Sequence, residues 1–383
     1  MGRLPLEGIT VVSLEQAVAA PFATRQLADL GARVIKIERD AGDFARGYDT
    51  KVDGMSSYFV WLNRGKESVV LDLKSADGLS ALKELVSRAD VLVQNLAPGA
   101  VERLGFGPDE ALALNPKLIH VSISGYGRGG SHEQKKAYDL LIQCESGMLS
   151  VTGAPDSPAK VGVSIADICA GMYAYTGILT SLLSRSVTGR GDVLEVSMLE
   201  ALGEWMSQPY FYAEYGGAPP ARSGAQHASI APYGPFEASD GTVFLGIQNE
   251  REWAVFCAKV LDRPDLAEHP RFSSNSLRVE NRGELHEAIN AVLSGMSAEA
   301  VTAGLDHAGI ANAQLRDMHG FSQHPQLLER NRWRDVESPI GPVRSLIPPV
   351  TSRELGFRMA AVPALGEHTG KVLAELGMSA NTR

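Results

Sequence analysis

Cysteine is scarce in this chain, and neither cysteine nor histidine recurs at a metal-binding spacing. The 383 residues include three cysteines, Cys144, Cys169 and Cys257, which lie far apart and form no C-x-x-C pair. The nine histidines form no H-E-x-x-H motif. These absences argue against a disulfide framework and against a structural zinc site. We interpret the cysteines as small residues of the protein core.

Long apolar runs and an excess of positive charge are also missing. No run of about 18 apolar residues is uninterrupted by Gly, Ser, Thr or a charge, and the N-terminal residues lack the layout of a signal peptide. We therefore predict a cytoplasmic protein. The net charge of −9 disfavours nucleic acid or an anionic membrane as the main partner. A local basic cluster could still hold a polyphosphate ligand.

Glycine is absent from the first predicted strand-to-helix turn, "SLEQAVAAP" at 13–21. A dinucleotide-binding fold carries its G-x-G-x-x-G motif at this turn. The stretch "GYGRGG" at 125–130 fits that motif, but it follows the fifth predicted strand and no clear helix opens on it. We interpret it as a turn, and the sequence argues against a nicotinamide enzyme.

The first half of the chain alternates β-branched runs with helical patterns. Predicted strands are "ITVVSLE", "RVIKIE", "SVVLDLK", "DVLVQNL" and "KLIHVSIS", with helices "PFATRQLADLGA" and "SADGLSALKELVSRA" between them. This order predicts an α/β fold with a doubly wound parallel sheet and right-handed crossovers. Ligands of such sheets bind beyond the carboxyl ends of the strands. Residues that directly follow the strands are therefore the first candidates for a site.

The second half predicts a smaller α+β domain. A helix over about 164–186 and a strand "VLEVSM" complete the first domain, and a hairpin around Asp240–Gly241 opens the second. The predicted large domain comprises 1–207 and 331–383, with a linker at 208–235, a small domain at 236–315 and a return linker at 316–330.

One carboxylate stands at the head of the apolar helix in "KVGVSIADICAGMYAYTGIL" at 160–179. The pattern "SIAD" fits a capping box, with Ser164 as N-cap and Asp167 three residues later, so Asp167 can be purely structural. It can also be functional, because a helix N-terminus favours an ionised carboxylate, and a fixed carboxylate is a nucleophile towards a thioester. The small residues that follow, such as Gly171, predict close packing of another backbone.

Eight blocks in a fixed order resemble the class III CoA-transferases, also called the CaiB/BaiF family, over nearly the whole chain. The blocks are "PLEGITVVSLEQAVAAPFATRQLADLGARVIKIER", "LDLKSADG", "VLVQNLAPGAVERLGFG", "NPKLIHVSISGYG", "KVGVSIADICAGMYA", "TGRGDVLEVSMLEA", "FLGIQNEREW" and "PALGEHT".

The resemblance implies that Asp167 attacks an acyl-CoA and passes through an aspartyl-CoA thioester. Coenzyme A is then a substrate, and neither a tightly bound cofactor nor a metal is needed. It also implies an interlocked homodimer.

By motif, the resemblance assigns the following CoA contacts: Arg39, Leu71, Leu73, Lys74, Asn95, Arg103, Lys136 and Tyr138. For Lys74, Arg103 and Lys136, solvated surface charge is the alternative. It also supplies the following candidates for substrate binding or oxyanion stabilisation: Gln16, Val18, Ala19, Arg46, Asp139, His227, Gly246 and Gln248. Three cationic side chains, Arg46, Arg222 and His227, are candidates for pairing with a second substrate carboxylate, and structural salt bridges are the alternative. The run "LGIQNE" lacks the glycines of the formyl-CoA branch, which argues against a mobile lid at 246–249.

The implied reaction is transfer of coenzyme A from succinyl-CoA to a small dicarboxylate such as itaconate, mesaconate, citramalate, malate or glutarate. An α-methylacyl-CoA racemase of the same fold is an alternative. Its "GHD" motif corresponds here to Ala137, Tyr138 and Asp139, and a tyrosine in place of histidine is a poor base at neutral pH. A non-catalytic CoA- or nucleotide-binding protein is the second alternative.

Overall fold

The computed structural model describes residues 4–378, which divide into two compact units. The larger unit runs up to residue 147 and adds 161–208 and the residues from 329 onward. The smaller unit comprises 148–160 and 209–328. The segment 148–160 therefore groups with the smaller unit, whereas the sequence analysis places it in the large domain. The predicted linker at 208–235 is also more structured than expected, because most of a helix, Ser207–Gly216, lies within it.

The strands and helices are numbered in chain order. The strands are β1 (Thr10–Leu14), β2 (Arg33–Glu38), β3 (Lys66–Val70), β4 (Val91–Gln94), β5 (Ile119–Ser124), β6 (Gly153–Ala154), β7 (Ser157–Pro158), β8 (Asp192–Ser197), β9 (Tyr233–Ala238), β10 (Gly241–Gly246), β11 (Ala311–Gln314), β12 (Trp333–Val336) and β13 (Val343–Leu346). The helices are α1 (Ala19–Asp29), α2 (Ser57–Asn63), α3 (Ala76–Arg88), α4 (Ala100–Arg103), α5 (Pro108–Leu114), α6 (Asp139–Glu145), α7 (Met148–Val151), α8 (Ile165–Thr188), α9 (Met198–Trp205), α10 (Ser207–Gly216), α11 (Glu250–Lys259), α12 (Asn275–Glu280), α13 (Arg282–Leu293), α14 (Ala298–Ala308), α15 (Met318–Ser322), α16 (Pro325–Glu329) and α17 (Thr369–Glu375).

The larger unit is built on a six-stranded sheet with the order β3-β2-β1-β4-β5-β8, and every neighbouring pair is parallel. Val12 on β1, for example, pairs with Ile35 on β2 and with Leu92 on β4. The predicted α/β class with a parallel sheet is confirmed. The strand order reverses between β1 and β4, so the crevice beyond their carboxyl ends is the expected ligand site.

Local sequence signals place the helices of this unit. Ser75 caps α3 by accepting a hydrogen bond from the Gly78 N–H at 2.9 Å, as a serine before a helical pattern predicts. Helix α1 begins at Ala19, two residues before the expected start at Pro21. The proline falls in the first turn, where its missing N–H has no consequence.

Helix α8 is 24 residues long and has a mean hydropathy of 1.2 over its most apolar window. Within residues 4–378 it is the single helix that could cross a membrane by length and composition, a test that core helices of soluble proteins also pass. In the structure α8 packs on α1, β5 and β8 of the larger unit. We attribute its apolar composition to this packing.

The smaller unit contains a three-stranded antiparallel sheet with the order β11-β10-β9. Its β9–β10 turn is Ser239–Asp240, one residue before the predicted turn, because Ala238 pairs with Gly241. Helices α11, α13 and α14 enclose a core with the buried side chains of Phe236, Trp253 and Phe256.

The three cysteines are free thiols. Cys169 and Cys257 are buried, as the sequence predicts, and burial raises the pKa of each thiol to about 12. The prediction is wrong for Cys144, which is exposed on α6 because this short helix turns only part of its surface towards the core.

Candidate active site

Asp167 occupies the first turn of α8, two residues after the helix begins at Ile165. One turn later, Gly171 faces the start of α1, and a Cβ at this position would lie 2.6 Å from the Ala19 carbonyl oxygen. Ala170 and Ala174 on the same helix are fully buried. The predicted close packing of a backbone on this stripe is confirmed, and it fixes the head of α8 against the start of α1.

The capping box predicted from "SIAD" does not form. Ser164 is the N-cap residue, but its side chain makes no capping hydrogen bond. The cap comes from another helix instead. Asp139 Oδ1 accepts hydrogen bonds from the N–H groups of Ala166 at 2.8 Å and Asp167 at 3.4 Å. Gln143, which is buried, donates to Asp139 Oδ2 at 2.7 Å and holds the carboxylate in place.

This arrangement leaves Asp167 without the stabilisation that a helix N-terminus usually gives a carboxylate. Burial raises the pKa of Asp167 to about 7, and the negative charge of Asp139 adds to the shift. The direction is opposite to the expectation from the sequence. Asp139 explains part of the difference, because it takes the backbone donors that Asp167 would otherwise face. A half-buried carboxyl with a pKa near 7 exchanges its proton readily at physiological pH.

Tyr48 is a neighbour of this carboxylate that the sequence analysis misses. It follows a short 3-10 helix, Phe44–Gly47, and its ring lies edge-on to Tyr58 at 5.5 Å. Burial raises the pKa of the Tyr48 hydroxyl, and the nearby charges of Asp43 and Asp167 raise it further. Tyr48 is therefore a neutral hydrogen-bonding group in the field of the nucleophile. No motif marks this position in the sequence.

The turn between β1 and α1 carries three candidate residues, Gln16, Val18 and Ala19, and it lies at the reversal of strand order. Asn95, at the end of β4, clamps the Gln16 backbone through two hydrogen bonds of 2.8 Å, one accepted and one donated. The sequence predicts that Asn95 contacts CoA. In the structure both polar atoms of its side-chain amide bind the Gln16 backbone. The next residue, Ala17, has a φ of 60°.

The start of α1 offers unpaired backbone donors. The N–H groups of Val18, Ala19 and Ala20 have no hydrogen-bond partner within residues 4–378, and Pro21 has no N–H. Orphan N–H groups at a helix start are ready-made donors to a developing oxyanion. The oxyanion role of Val18 and Ala19 stays a prediction; in the structure their backbone N–H groups are unpaired, and Ala19 lies against Gly171, one turn after Asp167 on α8.

The predicted CoA-binding cations lie in segments that come after strands of the larger sheet. Arg39 follows β2, Lys74 follows β3, Arg103 ends α4 after β4, and Lys136 lies in the loop after β5. Arg39, Lys74, Arg103 and Lys136 are all exposed, and none forms an ion pair with another residue that the structure describes. Arg39 instead donates to the Gly42 carbonyl oxygen at 2.9 Å and lies over the Phe44 ring. Their charges are free to meet phosphate groups.

Several other predicted residues are placed differently from the expectation. Leu71 is 2% exposed and belongs to the core, so its side chain has no surface to offer an adenine ring, whereas Leu73 is partly exposed. Arg46 pairs with Glu38 at 2.7 Å and lies over the Phe59 ring, which engages its guanidinium. Tyr138 is 70% exposed at the N-cap of α6.

Two candidates of the smaller unit, His227 and Gly246, lie against one aromatic ring, that of Tyr233. The His227 ring stacks on Tyr233 with centroids 5.2 Å apart. A Cβ at Gly246 would meet the same ring at 3.2 Å. The Gln248 N–H donates to Glu252 at 2.8 Å, so the start of α11 fixes the 246–249 segment. Arg222 donates to the carbonyl oxygens of Ala154 and Pro155 and makes no ion pair with a described residue.

A buried ion network beneath the β1–α1 turn is the second feature that the sequence analysis misses. It joins Glu15, Lys36, Asp43 and Lys66, whose side chains are fully buried. A lysine inside the β-branched run "RVIKIE" is the sequence signal that could have revealed it, because a buried charge needs a partner. By contrast, no group of three or more His, Cys, Asp or Glu residues within residues 4–378 is arranged to hold a metal ion.

Comparison with known proteins gives a consistent result along nearly the whole chain. Residues 6–369 match the model of CoA-transferase family III. Succinyl-CoA:glutarate CoA-transferase of Mus musculus is 33% identical over 97% of this chain and 86% of its own length. Acetyl-CoA:oxalate CoA-transferase of Acetobacter aceti is 37% identical over 85% of each chain. Succinyl-CoA:mesaconate CoA-transferase of Haloarcula hispanica is 30% identical over 98% of each chain.

Solved structures agree with these relatives. A CaiB/BaiF family protein from Brucella suis superposes with a TM-score of 0.87 at 30% identity, covering 98% of this chain and 100% of the other. The crystal structure of the hypothetical protein Rv3272 from Mycobacterium tuberculosis has a TM-score of 0.85 at 28% identity, covering 97% and 99%.

Proposed function

The chain belongs to CoA-transferase family III, and on this premise we propose that it moves coenzyme A from succinyl-CoA to a small dicarboxylate through Asp167. It is an enzyme with CoA-transferase activity, in keeping with its relatives. The names of those relatives support a dicarboxylate such as glutarate, mesaconate or oxalate as the acceptor. The observation that carries the assignment is a half-buried carboxylate held at a fixed helix start beside unpaired backbone donors.

In the first step, ionised Asp167 attacks the thioester carbonyl carbon of succinyl-CoA. A carbon–oxygen bond forms, the carbon–sulfur bond breaks, and CoA leaves as a thiolate, which gives a mixed anhydride of Asp167 and succinate. The raised pKa of Asp167 has a chemical advantage, because a poorly solvated carboxylate is a stronger nucleophile than one that is fully hydrated.

In the second step, the CoA thiolate attacks the carbonyl carbon of Asp167, and succinate leaves as a carboxylate. The product is an aspartyl-CoA thioester. The acceptor carboxylate then repeats the two steps in reverse, which forms the new acyl-CoA and regenerates Asp167. One activated acyl bond is exchanged for another, so the overall reaction consumes no further activated compound.

Each step passes through a tetrahedral oxyanion that needs fixed hydrogen-bond donors. The N–H groups of Val18 and Ala19 are our candidates, because they are unpaired and lie at the contact between α1 and α8, one helical turn from Asp167. Removing one such donor typically lowers kcat by about 100- to 1,000-fold. Tyr48 is a further neutral donor in the same region.

The phosphates of CoA require positive charge at some distance from the thioester. Arg39, Lys74, Arg103 and Lys136 supply it, since all four are exposed and unpaired within the described chain. For the second carboxylate of the acceptor, Arg46 of the larger unit is a weak candidate, because its guanidinium already pairs with Glu38.

We also propose that the enzyme works as a homodimer in the cytoplasm. Large apolar side chains on the outer face of α8 and on α10 support the dimer, since Leu183, Val187 and Tyr215 are 72%, 86% and 78% exposed. Contiguous exposed apolar patches mark protein–protein contacts, and Leu183 and Val187 are neighbours on one face of α8, four residues apart. Light scattering coupled to size-exclusion chromatography would give twice the 41.0 kDa chain mass if this is correct, and a mass of one chain would contradict it.

Trapping of the aspartyl thioester tests the proposed mechanism directly. The enzyme is incubated with succinyl-CoA alone, then treated with hydroxylamine or borohydride, and the peptide that carries Asp167 is analysed by mass spectrometry. We expect a mass change on Asp167 in the wild type and none in Asp167→Asn. The exposed Asp40→Asn variant is the matched control and should trap as the wild type does. A racemase or a non-catalytic binder would show no adduct on any of the three, and that result would overturn the proposal.

A further inference from the structure

Four buried charged side chains form a linear network under the β1–α1 turn, in the order Lys66, Glu15, Lys36 and Asp43. Lys66 Nζ lies 2.6 Å from Glu15 Oε1, and Lys36 Nζ lies 3.3 Å from the same oxygen. Lys36 Nζ also contacts Asp43 Oδ2 at 2.8 Å. Taking four charges out of water is expensive, and apolar residues of similar volume are often as stabilising as buried ion pairs. Stability alone is therefore a weak explanation for the network.

The network ends on the backbone of the turn. Asp43 Oδ1, the oxygen not used by Lys36, accepts hydrogen bonds from the Ala17 N–H at 3.1 Å and the Ala45 N–H at 2.9 Å. Ala17 has a φ of 60°, a left-handed conformation that costs a non-glycine residue about 1–3 kcal/mol. Such strain persists only where the surroundings hold it. Here Asp43 holds Ala17, and Asn95 holds Gln16 beside it.

The held turn determines where the first free donors of α1 point. Val18 directly follows Ala17, and the N–H groups of Val18 and Ala19 are unpaired. Thr24 of α1 also donates to Glu15 at 2.6 Å, so the network contacts the body of the same helix. Because Val18 directly follows Ala17, a rotation about the Ala17 backbone would redirect the Val18 N–H.

We propose that Asp43, oriented by its ion pair with Lys36, is a positioning residue of the transferase reaction. It fixes the Ala17 turn so that the N–H groups of Val18 and Ala19 can donate to the oxyanion that forms when Asp167 attacks the thioester carbonyl. Asp43 itself does not touch the reacting atoms in this role. The inference rests on the proposed function, since it assumes that Asp167 is acylated, and it adds the buried residues that set the geometry of the oxyanion donors.

A second buried ion cluster supplies a matched control. Asp29, at the opposite end of α1, pairs with Arg25 at 2.8 Å and Arg64 at 2.7 Å. Asp29 is as buried as Asp43, with 2% of the residue exposed against 3%. Because α1 has 11 residues, the two ends are about 15 Å apart along the helix axis. Substitution of either aspartate by asparagine removes one buried charge beside a cation, but only Asp43 contacts the turn.

The experiment compares Asp43→Asn, Lys36→Met and Asp29→Asn in the full-length enzyme. For each we would measure Tm, the kcat and KM for succinyl-CoA, and the single-turnover rate of Asp167 acylation by trapping. We expect Asp43→Asn to lower kcat and the acylation rate by about 10- to 100-fold with little change in KM, since misplaced groups lose rate at this scale. Lys36→Met should show a smaller loss of the same kind. Asp29→Asn should lower Tm but keep kcat within about twofold.

The outcomes separate this inference from the proposed function. If the wild type shows no adduct on Asp167, the proposed function fails. If the wild type is acylated and Asp43→Asn is acylated equally fast while its Tm falls as in Asp29→Asn, the network is merely structural and the inference is wrong. Should Asp43→Asn fail to fold, Lys36→Met decides, because it keeps the Asp43 carboxylate and removes the ion pair that orients it, together with the longer contact of Lys36 to Glu15. An unchanged acylation rate in that variant would refute the positioning role.

Discussion

Replacing the nucleophile should make the folded protein more stable, and the gain should depend on pH. In Asp167→Asn, the side chain keeps its size but can no longer be charged. The pKa of Asp167 rises from an ordinary 3.8 to about 7 on folding, chiefly through burial and further through Asp139. The folded state therefore binds its proton more tightly than the unfolded state does. Stability must then fall as the pH rises from about 4 to about 7.

The magnitude follows from the size of this shift. One pKa unit corresponds to about 1.4 kcal/mol, so a shift of roughly three units corresponds to a cost on the order of 4 kcal/mol above pH 7. This value is an upper limit, because Asp167 keeps some contact with solvent. Below about pH 4 the group is protonated in both states and contributes nothing. Asp167→Asn should thus match the wild type at low pH and exceed its stability at pH 8.

Urea denaturation at several pH values between 4.5 and 8 measures this difference. The free energy of unfolding of Asp167→Asn minus that of the wild type should grow with pH and reach its plateau above about pH 7.5. Asp40→Asn is the control, because Asp40 is exposed and makes no hydrogen bond or ion pair with a described residue. A difference that is the same at pH 4.5 and pH 8 would refute the reasoning, since it would mean that folding does not perturb the Asp167 carboxylate.

Three further predictions concern the reaction. The single-turnover rate of Asp167 acylation should rise with pH with a midpoint near 7, since the carboxylate and not the acid is the nucleophile, and a flat profile between pH 5.5 and 8.5 would contradict this. Asp139→Asn should move that midpoint to lower pH, because it removes a neighbouring negative charge, and it should also lower the free energy of unfolding by about 1 kcal/mol through the weakened cap. Lys74→Ala and Arg103→Ala should each raise the KM for succinyl-CoA about 5- to 10-fold and reduce its dependence on salt, with kcat unchanged, whereas equal KM values would mean that these residues do not meet the phosphates.

The sheet of the larger unit could be predicted from the sequence because its signals are local. Runs such as "RVIKIE" and "KLIHVSIS" are rich in β-branched residues, and each is separated from the next by a helical pattern, which is sufficient to indicate a parallel sheet; in the structure both strands are buried on both faces. Ser75 marks the start of α3 for an equally local reason. The boundary between the two units was harder to predict. The segment 148–160 groups with the smaller unit through contacts distant in sequence, such as those of Arg222 with Ala154 and Pro155.

The site divides in the same way between local and distant signals. The position of Asp167 at a helix start is local, and so is the stripe of small residues behind it, which is why both could be predicted. The pKa of Asp167 is not local, because it depends on a carboxylate 28 positions earlier that takes the N–H groups at the head of α8. The capping-box pattern indicates that the Ser164 side chain can cap α8. It does not show that Asp139, from another helix, accepts those hydrogen bonds instead.

The buried network follows the same logic and leads to one more conclusion. Its two lysines are visible in the sequence as charges within or beside apolar strands, but their partners Glu15 and Asp43 come from different loops and strand ends. Burial lowers the pKa of Lys66 to about 7, and Glu15 opposes that shift, so a lysine without its glutamate would lose its proton. Glu15→Gln should therefore leave Lys66 neutral, so that the network loses the negative charge of Glu15 and the positive charge of Lys66 together. In that variant Lys36 keeps its ion pair with Asp43, and the Ala17 turn should remain in place. If Asp43 is the positioning residue, Glu15→Gln will reduce stability more than it reduces kcat, and a loss of kcat as large as that of Asp43→Asn would show that the whole network, and not its last member, sets the geometry of the turn.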